Sequence, residues 1–198
     1  FTGVVEVKGT GSVNFTPAQG GNGVYFLNCC KNTNDAYYHF TGATVGNIFD
    51  VNQGEISFSL QSSYTFAQRK ANAAMPRYTF DVRDGNGNHL FWFLTQLTSN
   101  GLQFNYTVGT TAQVYYVPQG TEDTLFGDGV TLQVTLTWST SGVSFYLNNS
   151  LVKSSSYKVP TTNWNASSVL DFGAYEYSTF GGYNVSDDVI FGFTVSAP

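Results

Sequence analysis

Charge is scarce in this chain: Asp, Glu, Lys and Arg together make up 11% of 198 residues, against roughly 25% in an average globular protein. Lys and Arg number eight, and Arg69-Lys70 is the only adjacent basic pair. Phosphate backbones are bound by clustered cations, so the sequence excludes nucleic acid as a partner. The net charge of -5 and the pI near 4.7 agree. No run of 18 apolar residues occurs, so the sequence offers no helical membrane span. Also missing are a G-x-S-x-G elbow, an H-E-x-x-H pair and a phosphate loop ending in Gly-Lys, the local signatures of serine-elbow hydrolases, zincins and P-loop enzymes. Imidazole is limited to two residues, His39 and His89. His89 reads as a solvated strand end beside a turn. His39, within Tyr37-Tyr38-His39-Phe40, reads as a packed strand residue in preference to a surface ligand contact.

Against these absences stand the aromatics, 17% of the chain with 13 Tyr and 17 Phe. Strand interiors alone do not need so many rings, which predicts that some lie on a surface that contacts a ligand. The length allows a sizeable core, and all-β sandwiches of about 200 residues commonly form one domain. No linker, charge run or internal repeat divides residues 1–198, so one domain is expected. Beginning at Phe1 without Met or a charged-then-apolar leader, the chain reads as a mature form or a domain cut from a larger secreted protein. Low Lys content with abundant Ser, Thr, Asn, Gly and Tyr suits an extracellular or cell-surface setting. Sequons at Asn14, Asn105, Asn148, Asn165 and Asn184 arise readily in such a composition and decide nothing.

Two-residue alternation recurs along the chain. Val130, Leu132, Val134, Leu136 and Trp138 alternate with Thr131, Gln133, Thr135 and Thr137, the pattern of a strand with one buried face. After Ser141-Gly142, Val143, Phe145 and Leu147 take one face and Ser144 and Tyr146 the other. Asn148-Asn149 tolerates positive φ and suits a tight hairpin before Leu151. Ile56, Phe58 and Leu60 alternate with Ser57, Ser59 and Gln61. Tyr78, Phe80 and Val82 precede the turn Asp84-Gly85-Asn86-Gly87-Asn88 and the apolar run Leu90 to Leu94, which predicts a hairpin. Trp92 stands on the face opposite Phe91 and Phe93, so that strand is apolar on both faces. Further strands are expected at Val24–Leu27, Leu102–Val108, Val114–Val117, Val169–Tyr177 and Val189–Val195. Gln68 to Met75 alone has helical propensity, and Pro76 closes it. The fold class is all-β, a two-sheet antiparallel β-sandwich.

Three segments in order carry a family resemblance: the hairpin Phe80 to Leu94, the hairpin Trp138 to Val152, and the closing stretch Phe180 to Val195. Within the last, Gly182, Asp187, Asp188, Val189 and Phe191 are the matching positions. Together they resemble the concanavalin A-like lectin and glucanase superfamily, in particular its laminin-G-like jelly-roll domains. The resemblance implies the jelly roll, but not the function, because the same sandwich hosts lectins, adhesion modules, glycanases and lyases. It also implies a structural calcium, with Asp187, and Asp188 beside it, as the metal candidates; carboxylate and carbonyl oxygens suit that ion. The other reading of both residues is a turn cap made by local hydrogen bonds.

Hydrolysis on this fold needs a carboxylate pair, and a retaining enzyme holds its pair about 5 Å apart. No two acids stand at i, i+2 or i, i+4, and the E-x-D-x-x-E strand that resemblance to family 16 glucanases would require is absent. Only a pair assembled from different strands is left. Cys29-Cys30 admits three readings: a vicinal disulfide, two buried thiols, or metal ligation, the last disfavoured for want of spaced partners. A closed vicinal ring beside Tyr37 and Tyr38 would make a flat apolar platform for a sugar face. Sugars pack their C–H faces on rings and hydrogen-bond through hydroxyls to amides and carboxylates. Tyr37, Tyr38, Trp92, Trp164, Tyr175, Tyr177 and Tyr183 are therefore the candidate ligand contacts. The first expectation is a non-catalytic, extracellular module that binds a poly- or oligosaccharide or mediates adhesion, next to other domains of a larger chain. A polysaccharide hydrolase or lyase is the second, and a structural or protein-interaction domain the third.

Overall fold

The computed structural model describes the backbone over residues 4–7, 12–18, 21–27, 36–42, 49–62, 64–71, 77–160, 164–177, 182–185 and 188–196, and side chains over 40–42, 49–62, 64–71, 77–160, 164–173 and 188–196. The strands of the first half are β1 (Val4–Val7), β2 (Ser12–Ala18), β3 (Gly21–Leu27), β4 (Ala36–Thr41), β5 (Gly54–Gln61), β6 (Arg77–Arg83) and β7 (His89–Thr98). Those of the second half are β8 (Gly101–Val108), β9 (Thr111–Tyr116), β10 (Thr131–Ser139), β11 (Gly142–Leu147), β12 (Ser150–Ser155), β13 (Val169–Phe172), β14 (Ala174–Tyr177), β15 (Gly182–Val185) and β16 (Val189–Ser196). Short helices lie between them, among the described residues α1 (Phe66–Ala71) and α2 (Glu122–Phe126).

The strands form two seven-stranded sheets, ordered β1-β4-β13-β6-β7-β8-β9 and β12-β11-β10-β5-β16-β3-β2, with β14 and β15 paired separately. The named pairs are antiparallel. This is the all-β sandwich that the alternation predicts. Along β5 the burial alternates without a break, and β10 and β11 do the same. Between the sheets Phe58 meets Phe80 and Phe93 at ring-centroid distances of 5.8 and 5.4 Å, and Phe93 meets Phe145 at 5.7 Å. Edge and tilted ring contacts of this kind are favoured by the charge distribution of aromatic rings.

The hairpin from β10 to β12 follows the expected register: Val134 faces Leu147, and Asn148 and Asn149 sit at φ 48° and 64°. Trp138 is buried, donating its indole N–H to the Asp50 carbonyl at 2.7 Å. Where the sequence suggests one strand over Val169–Tyr177, the chain breaks at Gly173, whose φ is 91°. There its N–H donates to the Thr79 carbonyl, and β14 leaves to pair with β15. A helix lies over Phe66–Ala71 and overlaps the start of the Gln68 to Met75 segment, whose residues 72–75 fall outside the described residues; Thr65 and Gln68 hydrogen-bond reciprocally at its start. Among the described residues no helix is long and apolar enough to cross a membrane.

Candidate functional site

In the first sheet the side chains that face the second include Phe80, Val82, Phe93, Phe104 and Phe172. Strand alternation therefore turns Asp81, Arg83, Trp92, Gln96, Gln103, Asn105, Thr107, Tyr116 and Asp171 to the outer face. Cross-strand register sets them in rows. One row runs Asp171, Asp81, Trp92, Thr107, Ala112, and another runs Gln96, Gln103, Tyr116. Residues paired directly across strands bring their Cβ atoms to about 4.5–5.5 Å.

Two irregularities shape the face. Between Tyr78 and Phe80 the pairing with β7 slips by one residue, which leaves Tyr78 outside and Phe80 in the core. Tyr78 then meets Trp92 at a ring-centroid distance of 5.6 Å. A second slip lies between Val82 and Arg83: Val82 pairs with Phe91 and Arg83 with His89, leaving Leu90 extra. The extra Leu90 joins the core, and His89 reaches the outer face. Its Nδ1 lies 2.7 Å from Asp81 Oδ1. His89 is thus engaged with a buried acid, unlike the solvated strand end that its position beside the turn suggests. The turn is fixed by Asp84, which accepts hydrogen bonds from the Asn86 and Asn88 backbone N–H groups at 2.9 and 2.8 Å.

Around His89 the face is ionic. Asp81 and Asp171 are buried and stand opposite each other in register. Arg83 joins them, with Nε 3.2 Å from Asp81 Oδ2 and Nη2 2.5 Å from Asp171 Oδ2. Burial pushes the Asp81 carboxyl up to about 6, against the opposing pull of the His89 hydrogen bond and charge and of Arg83; Asp171 adds to the rise. A carboxylate pair that no spacing within one strand provides is thus assembled from β6 and β13. His39, on β4, is the register partner of Asp171 on its other side.

Away from this cluster the face is neutral. Gln103 Nε2 donates to Gln96 Oε1 at 3.2 Å, and Asn105 Nδ2 reaches the same oxygen at 3.5 Å. Asn105 Oδ1 and Thr107 Oγ1 are buried without a hydrogen-bond partner, in residues only 7% and 3% exposed. Asn105 opens a sequon, but its burial argues against its being a glycosylation acceptor. Tyr116, 48% exposed, closes the face at the β9 edge. It also lines a cavity of about 1090 Å³ with Phe66, Lys70, Leu97, Pro118 and Glu122.

Of the ligand contacts expected from the sequence, the structure puts Trp92 on this face. Trp164 lies elsewhere, stacked on Phe49 at 4.5 Å, and Phe49 in turn meets Trp138 at 5.3 Å. Tyr37 and Tyr38 belong to β4, with Tyr38 opposite Phe172. Tyr175 and Tyr177 on β14 face Asn184 and Gly182, and Tyr183 on β15 faces Glu176; this hairpin lies beside β6. Cys29, Cys30 and Asp187 fall outside the described residues. Asp188 is buried in an ion pair with the Arg69 guanidinium, so its carboxylate faces a cation that the chain itself supplies. Among the described residues no three His, Cys, Asp or Glu side chains gather to hold a metal ion.

Sequence reasoning missed Asp81, Arg83, His89, Asp171, Asn105, Thr107 and Tyr116 as site residues. Alternation along Leu102 to Val108 does mark Gln103, Asn105 and Thr107 as a polar face. Which strands flank that face is not written in any one segment.

No protein-family model matches the chain, and no curated protein does. Its likeness is to solved structures. Domain 4 of AbnA, a GH43 extracellular arabinanase from Geobacillus stearothermophilus in complex with arabinotriose, superposes with a TM-score of 0.60 at 11% identity, covering 98% of this chain and 82% of that one. Botulinum neurotoxin type C, whose cell entry depends on interaction with two ganglioside molecules, gives 0.59 at 16% identity over 98% of this chain. A mutant of Trypanosoma rangeli sialidase displaying trans-sialidase activity gives 0.61 at 12% identity over 97% of it. This chain spans only 43% of the toxin chain and 27% of the sialidase chain.

Proposed function

On the concanavalin A-like jelly-roll lectin and glucanase fold that this chain carries, we propose a carbohydrate-binding module that holds glycan on the outer face of its first sheet. The observation that carries this reading is the position of the half-buried Trp92 opposite Thr107 and one diagonal step from Asn105, two residues whose buried Oγ1 and Oδ1 have no hydrogen-bond partner. A polar atom buried unpaired costs about 1–3 kcal/mol. Sugar hydroxyls would satisfy both atoms while a pyranose face packs on the indole. The arabinotriose complex of the GH43 domain supports the reading, because a neutral oligosaccharide there meets the same fold.

The module acts outside the cell as part of a larger secreted chain, and residues 1–198 form one domain of it. Tyr37, Tyr38, Tyr175, Tyr177 and Tyr183, whose strands adjoin β13 and β6, extend the ligand surface; Trp164 serves the core. A vicinal Cys29-Cys30 disulfide belongs to the same reading, with thiol titration under denaturing, non-reducing conditions expected to find no free thiol. A structural calcium at Asp187 is expected to raise the melting temperature on addition of millimolar Ca²⁺, with EDTA reversing the rise.

A glycan array tests the main reading. The wild-type protein should bind a defined glycan set, and Trp92→Ala and Asn105→Ala should each weaken binding about tenfold, as loss of a stacking or hydrogen-bond contact of about 1.4 kcal/mol requires. Unchanged binding in both variants sinks the assignment of this face. One observation favours a second reading, a polysaccharide hydrolase: Asp81 and Asp171 stand opposite each other in cross-strand register, which brings together two carboxyls from different strands. A reducing-sugar assay on the same glycans decides it. New reducing ends that vanish in Asp81→Asn and Asp171→Asn would establish hydrolysis; binding without turnover would establish the module.

A further inference from the structure

Three side chains lie on one diagonal of the outer face. Trp92 on β7 pairs with Thr107, and Thr107 with Ala112 on β9; Tyr116 stands four residues further along β9. Asn105 on β8 occupies the midpoint, two residues along from Thr107 and flanked in register by Leu94 and Val114. With strands about 4.8 Å apart and about 3.3 Å of rise per residue, the line from Trp92 to Tyr116 is about 16 Å, the length of about three to four linked sugar rings. An aromatic ring stands at each end, and the amide between them has a buried, unpartnered Oδ1. Beyond Tyr116 the line opens into the 1090 Å³ cavity that Leu97, Pro118 and Glu122 help to line.

Few charges lie along this path. Arg83 lies between Asp81 and Asp171, and the cavity holds one cation, Lys70, and one carboxylate, Glu122. At the β9 edge beside the path Lys153 Nζ donates to the Val114 carbonyl at 2.9 Å, but among the described residues no cluster of cations, and so no surplus of positive charge, faces the path, and the chain as a whole is acidic. Sulfates, sialic acids and uronates are anions that need such a surplus.

We infer that the ligand is an uncharged, unbranched oligosaccharide stretch, bound internally along the Trp92–Asn105–Tyr116 diagonal and continuing into the Leu97–Glu122 cavity. This rests on the glycan-binding reading and narrows it. Single terminal sugars would engage only one ring; a continuous chain engages both ends and the amide between them.

Titration calorimetry with oligosaccharides of one to six residues from β-1,4-glucan, β-1,4-xylan, β-1,4-mannan and α-1,5-arabinan tests the inference, with polygalacturonate and heparin as anionic probes. In the series that binds, affinity should climb at least about tenfold between two and four residues, as engagement of a second ring predicts. Tyr116→Ala should cost about tenfold for the tetra- and hexasaccharides and leave the disaccharide unchanged. The exposure of Tyr116 keeps that variant folded, and its melting curve verifies this. Tyr157→Ala, another exposed ring off the diagonal, should change nothing. Affinity for the neutral hexasaccharide should be the same at 50 and 500 mM NaCl. Equal affinity for di- and hexasaccharide, or tighter binding of an anionic polymer, overturns the extended neutral ligand while leaving glycan binding in place. Silence of every glycan at millimolar concentration overturns both.

Discussion

Single side chains in this sandwich are held to narrow tolerances. Gly54, at the start of β5, lies beneath the indole of Trp138: a Cβ there would stand 2.2 Å from its Cζ2. The indole is held on the other side by its N–H bond to Asp50 and by the ring of Phe91 at 5.0 Å. Gly54→Ala should therefore destabilise the fold by about 1–3 kcal/mol, the usual cost of overpacking a filled core. The denaturant midpoint reads this directly, and an unchanged midpoint contradicts the contact. Trp138 was legible as a core residue from alternation alone. Trp164 was not: its polar neighbours Asn163 and Asn165 suggest an exposed loop, and only the position of Phe49 draws it inward.

At the scale of elements, the β10–β12 hairpin is the most readable part of the chain, because its register and its turn are both local. Asn148-Asn149 marks the left-handed turn, and alternation marks the buried face. The outer face of the first sheet is less readable. Both pairing slips on β6 depend on the partner strand, and without the second, parity would put His89 with Phe91 in the core. A further contact ties the two helices to the second sheet. Arg69 on α1 donates from Nε to Ser62 Oγ at 3.0 Å, lies over the Phe126 ring of α2 at 4.8 Å, and pairs with Asp188 at the start of β16. Sequence reasoning saw in Arg69 only half of a basic pair. Arg69→Met keeps the apolar stem but removes the Arg69 cation from the buried Asp188 carboxylate, and should cost about 3–5 kcal/mol. Adding Asp188→Asn to it should recover part of that loss. Urea unfolding of the two variants checks both, and a second substitution that adds its full cost argues against the coupling.

For the whole molecule, the ionic cluster on the outer face ties stability to pH. Burial, the largest influence, lifts the Asp81 carboxyl from the usual 3.8 to about 6; His89 and Arg83 pull it down, and Asp171 adds to the rise. The folded protein then holds this proton more tightly than the unfolded chain does. The stability linked to it is complete below about 3.8 and is lost as pH rises through about 6. Two pH units correspond to about 3 kcal/mol. Between pH 4 and 6.5 the wild-type protein should lose about 2 kcal/mol of that stability relative to Asp81→Asn. Unfolding free energies at intervals across the window test it; parallel curves for the two proteins would remove Asp81 as the titrating group.

By itself the sequence determined the all-β class, the buried faces of β5, β10 and β11, the tight Asn148-Asn149 turn, and the want of clustered cations. Each of these is decided by neighbours within a few residues, through period-two burial or backbone conformation. Only the tertiary structure decided that Asp81 meets Asp171, that Leu90 yields the outer face to His89, and that Trp92, Asn105 and Tyr116 fall on one line. Those facts depend on strand order, on register and on two inserted residues, all fixed by packing between segments far apart in the chain.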